Sequence, residues 1–100
     1  MMIIWKEEKT YKGQENNTAF SVMIGKFTAH ITCNHIYHRD NWIMHLYPGQ
    51  LADTMPLGLS KNADIENVKS TAERMIYDLL FKQKQLIEDA LFQLQTAVRD

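Results

Sequence analysis

The sequence predicts an α+β fold, an antiparallel meander of three or four strands followed by one long C-terminal helix (β-β-β-β-α). Three observations carry it. Residues 63–99 hold no Gly and no Pro, and their apolar residues recur every eleven positions. In the first half, apolar and polar residues alternate, which is the period of a half-buried strand. Gly13, Gly25 and the pair Pro48-Gly49 punctuate that half at turn positions.

The elements follow in order. Residues 3–11 are β-branched, aromatic and charged, as an edge strand is, and Gly13 ends them. Residues 14–18 form a polar turn. Residues 20–24 and 27–33 alternate, and Gly25-Lys26 between them fits a two-residue hairpin with positive φ at the glycine. A polar loop, residues 34–41, leads to a third alternating run at 42–47. Phase assigns the faces. Phe20, Val22, Ile24, Phe27, Ala29, Ile31, Cys33, Trp42, Met44 and Leu46 point one way, toward the helix. Ala19, Ser21, Met23, Thr28, His30, Thr32, Ile43, His45 and Tyr47 point the other. Residues 48–62 read as a loop whose Leu51, Met55, Leu57 and Leu59 lie over one end of the core. Asn62 is the expected N-cap, with Asp64 and Glu66 favourably placed against the helix dipole.

The helix carries one row of Ile65, Ile76, Ile87 and Val98 and a second of Val68, Leu79 and Ala90. Met75, Leu86 and Ala97 form a third. Ala72, Gln83 and Leu94 complete the stripe, with Gln83 its only polar member. Eleven residues in three turns keep such a stripe on one side of a nearly straight helix. About 36 residues would span roughly 54 Å. A compact chain of 100 residues has a radius of gyration of only about 13 Å. The first half cannot cover that stripe. The distal half, residues 86–98, is therefore expected to pair with another copy through Leu86, Ile87, Ala90, Leu91, Leu94 and Val98. The alternative is a break near residues 82–85 that folds the helix back on itself.

Length and composition describe one domain, residues 1–100, with no linker or low-complexity segment. The formal net charge of −1 gives no general attraction to nucleic acid or anionic membrane. Cys33 is the only cysteine, so no intramolecular disulfide can form, and a reducing compartment is expected. The apolar start, Met1 to Trp5, is too short for a signal peptide or a membrane span. Asn16-Asn17-Thr18 matches a glycosylation sequon but reads as a turn. The expected compartment is the cytoplasm, the host's if the protein is viral.

All four histidines and the cysteine fall between His30 and His45. His30, Cys33, His35 and His38 resemble a zinc set only as a string. His30 and Cys33 are three apart on a strand and face opposite ways, so four ligands do not converge. If residue 33 pairs with residue 42, His30 lies directly across from His45, with Cβ atoms about 5 Å apart. Such a pair can share a metal, titrate together, or simply sit half-exposed on a sheet. His38-Arg39-Asp40-Asn41 spells part of a kinase catalytic loop, but no phosphate-cradling glycine segment or metal-binding Asp-Phe-Gly accompanies it. Cys33 is in phase with the core and reads as a small buried hydrophobe. No catalytic residue, cofactor or metal is expected.

Two further groups suggest a protein target. Phe81 and Phe92 lie almost opposite the stripe, with Tyr77 nearby. The loop before residue 42 adds Ile36, Tyr37 and Arg39, and Tyr and Arg often carry binding energy. In layout the chain resembles small phage-encoded accessory proteins, some of which block host defence complexes. The resemblance is architectural and carries no site residue. It implies a non-catalytic homodimer acting as an inhibitor or adaptor on an unidentified protein. The rival readings are a small nucleic-acid-binding or regulatory domain using the outer sheet face, and a metal or enzymatic site at His30 and His45. Lys26 and Arg39 are too few to track phosphates, so nucleic acid is the less favoured partner, and no membrane association is expected.

Overall fold

A computed structural model describes residues 3–8, 19–33, 40–49 and 51–99, with the side chains of 98 and 99 excepted. It contains β1 (Lys6–Glu8), β2 (Ala19–Ile24), β3 (Phe27–Thr32), β4 (Asn41–Tyr47), β5 (Ala52–Ser60) and α1 (Ile65–Arg99). The five strands form one antiparallel sheet in the order of the chain. This is the α+β meander the alternation predicts, with one strand more.

The extra strand corrects the reading of residues 48–62 as a loop. Positions 52–60 hide their period because β5 is irregular. Its register against β4 shifts twice, between Asn41 and Ile43 and between Met44 and Leu46. Thr54 (φ 49°) and Gly58 (φ 76°) take left-handed conformations within it. Bulges of this kind scramble a two-residue alternation, and Pro56 is tolerated because β5 is an edge. The Gly25 hairpin is as expected, with Ile24 facing Phe27 and φ 60° at the glycine. The polar turn expected at 14–18 lies outside the described residues.

The core lies between the inner sheet face and the first half of α1. Phe20, Val22, Ile31, Trp42, Met44 and Leu46 meet Val68, Ala72 and Ile76 there. Ala29 and Ala72, both fully buried, leave room for a close approach of helix to sheet. Burial of this apolar area, at about 25 cal/mol per Å², is the main stabilising term. Among the described residues the buried Trp42 indole N–H meets no acceptor. Residues ahead of β1 also hold the helix. The Trp5 indole donates to Glu73 Oε1 at 3.0 Å.

The helix starts slightly later than the sequence suggests. Ala63 N donates to Ser60 O in a turn, and the first helical bond is Val68 N to Asp64 O at 2.9 Å. The N-cap is therefore Asp64, not Asn62. An acidic cap serves equally well, because its charge meets the positive end of the helix dipole. From there the helix runs unbroken to Arg99, through residues 82–85. Good helix formers and the absence of a stop signal explain this. Thirty-five residues span about 52 Å, and the molecule measures 62 × 31 × 23 Å. Its radius of gyration is 16.7 Å, above the value of about 13 Å for a compact chain of this length.

The outer sheet face departs from a simple exposed surface. Ala19, Thr32 and Ile43 are neighbours across β2, β3 and β4 on that face, and all three are buried. Among the described residues none of the three belongs to the core cluster under the helix.

Candidate functional site

The helix stripe changes environment once. Val68, Ala72 and Ile76 are buried, and Met75 and Leu79 are half-buried. Beyond Leu80 the sheet ends, and all of residues 81–97 except Gln83 are exposed. Leu86, Ile87, Leu91 and Leu94 are between 52% and 59% exposed. Ala90 is exposed beside them. Five of the six residues expected to pair two copies thus lie together on one open surface. Val98 is in the helix, but its side chain lies outside the described residues.

At the point where α1 leaves the sheet, a shallow groove of about 350 Å³ opens between Phe27, Leu80, Gln83, Lys84, Ile87 and Glu88. It joins the end of the core to the start of the open stripe. Sequence reasoning placed Phe27 in the core and did not find this groove. The signal was the position of Phe27 at the hairpin tip, where a sheet face runs out.

The second helix face also stands clear of the sheet. Tyr77 and Phe92 are exposed, and Phe81 is partly so. Tyr77 and Phe81 stack, with centroids 6.0 Å apart and planes 13° from parallel. The stack covers part of each ring, and Phe92 lies about three turns further along the helix. Ile36, Tyr37 and Arg39 lie outside the described residues, as do His35 and His38.

On the outer sheet, His30 pairs with His45 across β3 and β4, as the loop-closing register predicts. Their ring centroids are 6.1 Å apart. Each ring also turns toward a carboxylate. His30 Nε2 lies 3.5 Å from Glu8 Oε2, and His45 Nδ1 lies 3.2 Å from Asp53 Oδ1. Ser21 Oγ donates to Glu8 Oε1 at 2.8 Å and so fixes that carboxylate. The Thr54 amide donates to His45 Nδ1 at 3.3 Å. This bond needs a lone pair on Nδ1, whereas the ion pair with Asp53 needs a proton there. The two are alternatives, because one Nδ1 cannot accept and donate at once. Burial pushes the His30 pKa below its usual value, Glu8 opposes that, and the neighbouring His45 adds to it.

This row does not resemble a metal centre. Among the described residues no three His, Cys, Asp or Glu groups converge on one point. Glu8 and Asp53 went unrecognised as partners because the charge of β1 read as plain edge surface and β5 read as loop. Their carboxylates flank the histidines and repel phosphate, which weighs against a nucleic-acid track on this face. Cys33 is buried and unpaired. Burial raises its pKa, the opposite of what an activated thiol needs. No described helix is long and apolar enough to cross a membrane.

Compared with known proteins, the chain matches no family model, no curated protein and no solved structure.

Proposed function

We propose that this chain is a non-catalytic protein-interaction module that works as a homodimer, an inhibitor or adaptor of the small phage accessory type. The observation that carries the reading is the stripe that outruns its sheet. A monomer gains nothing by keeping Leu86, Ile87, Leu91 and Leu94 half-exposed on one face, since contiguous apolar patches mark interaction surfaces. A two-fold dimer lets one patch meet itself. The aromatic face of Tyr77, Phe81 and Phe92 then remains outside for a target protein. An inhibitor or adaptor needs no more chemistry than this, and the histidine row supplies neither a nucleophile nor a converged ligand set.

The test has two readouts. Light scattering of the purified chain at micromolar concentration is expected to give twice the chain mass. A pull-down from host lysate with the unmodified chain, and with Phe81→Ala and Phe92→Ala, is expected to lose its captured protein in the variants. A monomeric mass would overturn the dimer, and full capture by both variants would move the target surface elsewhere.

A further inference from the structure

We infer that two copies pair antiparallel through the open half of α1, with the two-fold axis at Ala90 and each helix end seated in the groove beside Phe27 and Leu80 of the other copy. This rests on the proposed homodimer and specifies its geometry.

Sterics exclude the parallel alternative. Two helices packed through one stripe lie about 8–10 Å apart. The same side of residues 65–79 is already occupied by the sheet, through Val68, Ala72 and Ile76. In a parallel pair, residues 65–79 of the second helix would have to lie where the sheet of the first copy is. An antiparallel pair has no such conflict. The open stretch of residues 81–97 is about 25 Å long and can be covered end to end by its own copy running the other way.

Spacing places the axis. The central line of the stripe in the distal half, within about 40° of Ala90 at 3.6 residues per turn, runs through Gln83, Leu86, Ala90, Leu94 and Ala97, with Ile87 and Val98 at the edge of the stripe. The separations along that central line, read from the sequence, are the same in both directions from Ala90. A two-fold axis at Ala90 therefore sets Leu86 against Leu94 and Gln83 against Ala97, and the smallest side chain sits where the helices approach most closely. Gln83, the one polar member, meets a small residue and keeps its amide near solvent. Ile87 and Leu91 flank the line of contact. None of Lys82, Lys84, Glu88 and Asp89 lies on it. The last helical turn of each copy reaches the other's groove of Phe27, Leu80 and Ile87. The pairing thereby covers both the stripe and the exposed end of the core.

Disulfide trapping distinguishes the register from the dimer itself. Ala90→Cys is expected to cross-link with itself under mild oxidation. Gln83→Cys and Ala97→Cys are each expected to stay uncross-linked alone and to cross-link when mixed. All three positions lie on the open half of the helix, so the variants are expected to fold, and circular dichroism checks this. Cys33 is buried, and the unmodified chain serves as its control. Self-cross-linking of Gln83→Cys or Ala97→Cys would overturn the antiparallel register. So would a dimeric mass by light scattering with no cross-link at Ala90→Cys. A monomeric mass for the unmodified chain would instead remove the dimer on which the register rests.

Discussion

Replacing Leu94 by Gln tests the open stripe most directly. Fully burying a Leu or Ile side chain is worth about 1.5–3 kcal/mol. Leu94 is already partly covered by its own helix, with 59% of it exposed, so pairing adds about 1 kcal/mol for that residue by the same scale. A symmetric dimer contains it twice, so Leu94→Gln is expected to weaken the dimer by about 2 kcal/mol, or roughly 30-fold in Kd. Extending the change to Leu86, Ile87 and Leu91 removes about 8 kcal/mol by the same scale, as much as holds a micromolar complex together. That variant is expected to be monomeric at all practical concentrations. Its fold should survive, because substitutions at open positions usually shift stability by no more than about 0.5 kcal/mol each. Sedimentation equilibrium gives Kd, and thermal melting of the dilute monomer gives stability. If the quadruple variant unfolds, the distal stripe is core and the reasoning fails. If it keeps the Kd of the parent, the interface lies elsewhere.

Three further outcomes are expected. His30 has a depressed folded pKa, so the unfolded chain takes up a proton first as pH falls through about 6.5. Stability contributed by neutral His30 is complete above that value and declines down to the folded pKa. Urea denaturation at pH 8 and pH 5.5 should show a smaller loss in His30→Gln than in the parent, and an equal loss would refute the assignment. Thr54 is β-branched in a left-handed conformation (φ 49°), a strain of about 1–3 kcal/mol. Thr54→Asn should raise the urea midpoint, since Asn tolerates that region, and a lowered midpoint would show that the threonine side chain matters more than its backbone. Chelator should leave the melting temperature unchanged, whereas stoichiometric zinc lost together with fold in His45→Ala would reverse the view of the histidine row.

Much of the fold was legible because two periods are clean. Alternation in residues 20–24, 27–33 and 42–47 fixed the faces, and from them the His30–His45 pairing followed. The unbroken stripe fixed the helix and its overhang. What stayed hidden has physical causes. Strand β5 carries two bulges and a proline, so Met55, Leu57 and Leu59 looked like a loop draped on the core. The burial of Ala19, Thr32 and Ile43 was not legible because alternation reports which side of a sheet a residue is on, not whether that side is covered. The partners of the histidines come from β1 and β5, the two strands with the weakest pattern. The groove at Phe27 depends on where the sheet stops relative to the helix, which no local period encodes.

The overhang also bears on how the helix itself persists. Isolated helices of fewer than about 12–15 residues are marginal in water, and in proteins most helical stability comes from packing. Residues 81–97 have almost none of it in a single copy, since all but Gln83 are exposed. They can propagate from the packed turns at Ile76 and Leu79, which avoids a costly nucleation step. Yet each further turn is held by local terms such as the Lys84–Glu88 pair at 3.8 Å, worth about 0.3–0.5 kcal/mol. The distal amides should therefore open locally at a small fraction of the global unfolding free energy. Pairing with a second copy buries the same turns and couples their order to mass action. Hydrogen exchange across residues 86–97 is thus expected to slow as protein concentration rises through the dimer Kd, while exchange near Val68 and Ala72 is expected to change much less. The Leu86, Ile87, Leu91 and Leu94 variant should lose that concentration dependence and exchange fast throughout. Slow, concentration-independent exchange in the distal half of the parent chain would mean that those turns are already packed within one copy, and that the stripe is not waiting for another.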